Sequence, residues 1–85
     1  MKSFKYTITD PFGIHIRSAG ILIKEAKKFN SKIILHYNNL TADACIFLEL
    51  LLLKVKCGAI ITVIIEGEDE DIALVTLKEF FNSYL

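Results

Sequence analysis

Apolar and polar residues alternate at the start of the chain, with Phe4, Tyr6 and Ile8 interleaved by Lys5, Thr7 and Thr9. That period of two predicts a strand with one buried face, because successive side chains of an extended backbone point to opposite sides. Asp10-Pro11-Phe12-Gly13 ends it with turn residues. From Ile16 the period lengthens: Ile16, Ala19, Leu22, Ile23, Ala26 and Phe29 share one helical face, while Arg17, Lys24, Lys27 and Lys28 fall largely elsewhere. This is an amphipathic helix with a basic exposed side. Its lysines crowd the C-terminal turns, where the helix dipole favours positive charge.

Asn30-Ser31 interrupts that helix, and Ile33, Leu35 and Tyr37 predict a second strand. Asn38-Asn39, a pair that tolerates positive φ, turns it into a short third strand over 40–43. The Leu-rich run 46–53 predicts a short helix. Gly58 precedes the β-branched run Ile60 to Ile65, a central strand, and Gly67 ends it. Glu68-Asp69-Glu70-Asp71 opens a last helix, which buries Ala73, Leu77, Phe80, Phe81 and Tyr84; acids suit a helix N-terminus and need no functional reason there. The order β-α-β-β-α-β-α predicts an α+β fold. It is an open-faced β-sandwich, a four-stranded antiparallel sheet with three helices on one face and the last strand between the first two.

Composition narrows the picture. With 85 residues, 53% of them hydrophobic, the chain has material for one domain, residues 1–85, and one core. Ten basic residues balance ten acidic ones, which argues against a nonspecific nucleic-acid binder. The balance is uneven, however: residues 1–60 hold nine basic and four acidic side chains, residues 61–85 one and six. An acidic or phosphorylated partner for the first part is one reading, a solvated basic face the other. The longest apolar tract, Ile46 to Val55, is broken by Glu49 and Lys54 and falls short of the about 20 residues of a membrane span. Cys45, Cys57 and two isolated histidines give neither a disulfide framework nor a metal-ligand cluster, so no metal or cofactor is expected and the compartment reads as cytoplasmic. Met1-Lys2-Ser3 runs straight into the first strand pattern, without a leader.

Chemistry concentrates in Gly13-Ile14-His15-Ile16-Arg17-Ser18-Ala19, at the junction of the first loop and first helix. Amides in the first turn of a helix have no internal partner, so a phosphoryl group on His15 would be held by the backbone N–H groups of Ile16 and Arg17. The Arg17 guanidinium, a planar donor fork, could reach the same oxygens. Gly13 either keeps the approach to the imidazole open or makes the turn. Ser18 is expected to bond to the nearby backbone. His36, on a strand away from any helix start or arginine, reads as a surface residue, and the two cysteines as small apolar fillers.

Gly-Ile-His-x-Arg-x-Ala resembles the active-site motif of HPr, the histidine-containing phosphocarrier of the bacterial phosphoenolpyruvate-dependent sugar phosphotransferase system. The resemblance continues without a gap through Ala26-Lys27-Lys28-Phe29-Asn30-Ser31, Leu35-His36-Tyr37-Asn38, Gly58-Ala59 and Ile61-Thr62 to Gly67-Glu68-Asp69-Glu70. It implies that His15 accepts a phosphoryl group on its δ nitrogen from phosphorylated enzyme I and donates it to sugar-specific IIA domains, Arg17 steadying the oxygens. The protein would be a stoichiometric carrier and a monomer, not an enzyme. A diverged regulatory or interaction module on the same fold is the alternative. The implied partner surface is Gly20, Ile21, Lys24 and Lys27 on the first helix with Phe47, Leu48, Leu50 and Leu51 on the short one, while Ile46, Leu50 and Leu53 also claim a core face. The chain is a divergent member by this reading. Ser18 stands where the family commonly has proline, Gly20 where it often has threonine, and Glu49 and Lys54 where it has glycine. Ile46 occupies the position of the regulatory serine that many relatives carry.

Overall fold

The computed structural model describes residues 1–85, whose elements run β1 (Lys2–Thr7), α1 (Ile16–Ala26), β2 (Lys32–Tyr37), β3 (Leu40–Asp43), α2 (Phe47–Leu52), β4 (Ile60–Glu66) and α3 (Glu70–Tyr84). The sheet order is β1-β4-β2-β3, and all three pairings are antiparallel. The last strand therefore lies between the first two, as the short connections predict. Asn38 and Asn39, at φ of 54° and 66°, make the two-residue turn between β2 and β3 in the left-handed conformation such a hairpin requires.

Register sorts the side chains into two faces. Phe4 on β1, Ile61, Val63 and Ile65 on β4, Ile33 and Leu35 on β2, and Ala42 on β3 are buried beneath the helices. Across the opposite face run Ser3, Ile64, Ile34 and Asp43 in one row and Lys5, Thr62, His36 and Thr41 in the next. His36 thus sits among small polar neighbours on the uncovered side of the sheet. The architecture is the open-faced sandwich expected, with α1, α2 and α3 on one face. Ile60, the first residue of the β-branched run, is 61% exposed, because β4 alternates like its neighbours and Ile60 points to the open face.

The helices differ from expectation at their ends. Ala19, Leu22 and Ala26 form the buried stripe of α1, but Ile16, in its first turn, is 71% exposed. Regular α1 stops at Ala26, and turns through 27–29 carry half-buried Phe29 to the core. On α3, Phe81 is enclosed and meets Phe4 and Tyr6 edge-on, with ring centroids 5.7 and 5.5 Å away. These contacts fasten the helix to β1, at about 1.5–3 kcal/mol for each buried large apolar side chain. Tyr84 is not buried. Leu85 takes that place, and its carbonyl accepts the N–H groups of Thr9 and Asp10 at 2.6 and 2.9 Å.

The acids opening α3 do more than favour its dipole. Asp69 accepts hydrogen bonds from the Ser31 hydroxyl and the Asn30 N–H, tying α3 to the start of β2. Glu70 accepts from the amino group of Met1 and from the Gly67 N–H. These bonds, with Ser31 foremost for Asp69 and the Met1 amino group for Glu70, hold both carboxyls below their ordinary values. A depressed carboxyl stabilises the fold above its unfolded pKa, and that contribution disappears as pH falls through the folded value. Stability is therefore expected to decline on acidification below about pH 4. Denaturation at stepped pH should find this decline shallower in Asp69→Asn.

Gly13 offers a second test. Its φ is 66°, and a Cβ there would lie 2.1 Å from the Val55 carbonyl oxygen. Both conformation and close approach require glycine. Gly13→Ala should cost about 2 kcal/mol or more in urea denaturation and displace the loop that carries His15.

Candidate functional site

The loop from β1 to α1 is held by backbone bonds on three sides. Ile8 exchanges hydrogen bonds with the 58–59 segment, its N–H reaching the Ala59 carbonyl at 2.9 Å and its carbonyl accepting from Gly58 at 2.8 Å. Asp10 starts a turn: its carbonyl accepts the Gly13 N–H at 2.9 Å and its Oδ1 the Phe12 N–H at 2.8 Å. The Ile14 N–H then reaches the Val55 carbonyl at 3.1 Å. His15 follows as the N-cap of α1, extended at φ −126°, and its N–H donates to the Ser18 hydroxyl at 3.0 Å. That hydroxyl also donates to the His15 carbonyl at 3.2 Å, so buried Ser18 spends its polar atom on the loop, as expected. Along the loop from Ile8, the amides of Ile16 and Arg17 are the first without an acceptor.

The imidazole stands in an open cleft of about 450 Å³ lined by Asp10, His15, Arg17, Ser18, Ile21, Ser83 and Tyr84. Its side chain is 32% exposed, and Nε2 lies 3.6 Å from Asp10 Oδ2. Phe12, 79% exposed, meets the ring edge-on at 5.9 Å between centroids. Arg17 is exposed and engaged in no ion pair, so its guanidinium is free to turn toward an anion in the cleft. Half-shielded imidazole, two open amides and an unpaired cation together suit a tetrahedral oxyanion.

Beside the cleft, α1 presents Gly20, half-buried Ile21 and Lys24, while Lys27, expected on the helix, is its C-cap just past Ala26. A Cβ at Gly20 would meet nothing within 4 Å, so no packing inside the chain requires glycine there. On α2, Phe47 and Leu48 are exposed, Leu51 is half-buried and Leu50 is fully enclosed. Leu50 therefore belongs to the core and not to a docking surface; truncating so enclosed a leucine costs about 2–5 kcal/mol. Ile46, by contrast, lies outside. Expected inside, it is the exposed N-cap of α2 and offers no side-chain acceptor to that helix. Leu52, 58% exposed, extends the apolar surface. Glu49 binds the Asp43 N–H at 2.8 Å, joining α2 to β3, and Lys54 at φ 55° takes the left-handed conformation glycine would accept more cheaply. Burial, followed by the Asp43 carboxylate, pushes the Cys45 thiol up, as befits a small filler.

Several cleft residues had no functional reading from sequence. Asp10 read as a turn former and Phe12 as its neighbour, and only the folded turn brings them against His15. Ser83 and Tyr84 are about as far from His15 in sequence as the chain allows, and no local pattern joins them to it.

A family model described as the PTS HPr component phosphorylation site matches residues 2–83. The phosphocarrier protein HPr of Mycoplasma capricolum is 34% identical over 79 residues, 93% of this chain and 89% of that protein. The phosphocarrier protein HPr of Buchnera aphidicola is 42% identical over 67 residues, 79% of each. Among solved structures, HPr-C-His from Thermoanaerobacter tengcongensis superposes with a TM-score of 0.93 at 28% identity, covering 99% of this chain and 94% of that one. A histidine at the start of α1 and agreement over nearly the whole fold place this chain in the HPr family, the phosphocarriers of the phosphotransferase system.

Proposed function

We propose that this chain is a stoichiometric phosphoryl carrier, acting as one unit over residues 1–85, that takes a phosphoryl group on Nδ1 of His15 from phosphorylated enzyme I and gives it to sugar-specific IIA domains. The observation that carries this reading is the imidazole at the N-cap of α1, with the unengaged Ile16 and Arg17 amides following it and Arg17 lining its cleft. In transfer, the Nδ1 lone pair forms a bond to phosphorus while the P–N bond to the donor histidine breaks, its electron pair returning to the donor ring. Amides and guanidinium neutralise the oxygens that carry the charge throughout. Positioning and electrostatics suffice for such a step, so a shallow site on a small protein can serve and no metal is needed.

Docking falls to the surface around the cleft. Gly20, Ile21 and Lys24 lie on α1 with Lys27 at its C-cap, Phe47, Leu48 and Leu51 lie on α2, and exposed Ile16, Ile46 and Leu52 widen the surface. Apolar side chains rimmed by lysines suit short-lived contact with acidic partners, met by a cytoplasmic monomer. No helix is long and apolar enough to cross a membrane.

Incubation with enzyme I and phosphoenolpyruvate should give one acid-labile phosphoryl group per chain. His15→Ala should abolish it while leaving the circular dichroism spectrum and unfolding midpoint close to wild type. Labelling that persists in this variant would sink the assignment.

Regulation gives a further expectation. Without a hydroxyl at position 46, the chain should take no phosphate from the ATP-dependent HPr kinase, read by intact-mass spectrometry; phosphoserine or phosphothreonine anywhere would contradict it. Ile46→Ser supplies both an acceptor and the missing cap of α2. It should raise unfolding free energy by about 0.5–1 kcal/mol in urea titration.

A further inference from the structure

The two oxygens of Asp10 are engaged differently. Oδ1 accepts the Phe12 N–H at 2.8 Å, and Oδ2 faces His15 Nε2 at 3.6 Å. The residue's own backbone is fixed at both ends, its N–H on the Leu85 carbonyl and its carbonyl on the Gly13 N–H, both at 2.9 Å. Its carboxylate is therefore aimed, and 22% exposure leaves it partly shielded. A carboxylate in a cleft meant for a phosphoryl group is adverse charge unless it acts on the ring instead.

We infer that Asp10 is a positioning residue for transfer: its carboxylate keeps the single proton of the neutral His15 imidazole on Nε2 and so presents the Nδ1 lone pair to phosphorus. This rests on the proposed phosphoryl chemistry at His15. A neutral imidazole carries one N–H, and an ionised carboxylate only accepts, so the nitrogen facing it is favoured as the donor. The 3.6 Å separation is longer than a formed hydrogen bond, and a small ring rotation closes it, as hydrogen bonds in reacting sites tighten when the reactants meet. When Nδ1 bonds phosphorus and the donor's P–N bond breaks with its pair on the donor nitrogen, the Nε2 proton stays where it is. The His15 ring becomes a cation beside Asp10, and onward transfer restores the neutral Nε2–H ring. No proton need leave for solvent.

Asp10→Asn tests this with little change of shape. Because Oδ1 remains bonded to the Phe12 amide, the new NH2 group replaces Oδ2 and donates toward Nε2, favouring the tautomer with the proton on Nδ1. Long-range 1H–15N spectra of the full chain, recorded where the ring is neutral, should show wild type mainly as Nε2–H, Asp10→Asn shifted toward Nδ1–H, and Asp10→Ala as a mixture. Phosphorylation by phosphoramidate, whose P–N bond breaks with release of ammonia, should slow about tenfold in Asp10→Asn. An unchanged tautomer pattern, or an unchanged rate in a variant whose backbone amide spectrum remains native, overturns the role of Asp10. Wild-type labelling by phosphoramidate but not by enzyme I would overturn the partner assignment while the Asp10 readings stand, and failure with both reagents would overturn both.

Discussion

Insertion of β4 between β1 and β2 is the constraint on which the rest depends. It closes two of the three strand pairings and, in the same stroke, lays residues 55–59 under the β1–α1 loop. The Ile8 exchange with residues 58–59 and the Ile14 bond to Val55 follow from that placement. Gly13 is then forced, since the loop can come this close to Val55 only without a Cβ. The position of His15 is thus a consequence of how a strand some 45 residues later pairs, and the site inherits the rigidity of the sheet.

Once the loop is pinned, the distribution of its hydrogen bonds becomes informative. Gly13, Ile14 and His15 each give their N–H to a protein acceptor, and Ile16 and Arg17 do not. A helix start always has open donors, but here Ser18 closes the one at His15 and leaves those of Ile16 and Arg17. The same bonds give Ser18 a structural role in the first turn of α1. Proline would pre-set the first turn, and Ser18 instead holds it through its hydroxyl on the His15 backbone.

The short helix α2 shows how one Leu-rich run serves two ends. Leu50 and the following Leu53 lie in the core, and Phe47, Leu48 and Leu52 face outward. With six residues the helix is too short to be stable alone, so the buried leucines and the Glu49 bond to β3 maintain it, and its exposed apolar side is available for contact.

The sequence by itself determined the elements and their order, because each periodic stretch here has one dominant signal: alternation in β1, the Asn38-Asn39 turn, the β-branched β4. It also determined the candidate chemistry, since Gly13, His15 and Arg17 lie within one five-residue stretch and their relation to a helix start is local. What only the tertiary structure decided are relations across distance and the orientation of residues where periodicity is weak. The inside and outside of α2 could not be read from consecutive leucines, so Leu50, which had a claim on both, lies inside and Ile46 outside, while at the end of α3 Leu85 packs inside and Tyr84 faces the cleft. Asp10 shows the limit most clearly: in sequence it is a turn former, and it becomes a partner of His15 because the bonds to Leu85, Phe12 and Gly13 aim its second oxygen at the imidazole.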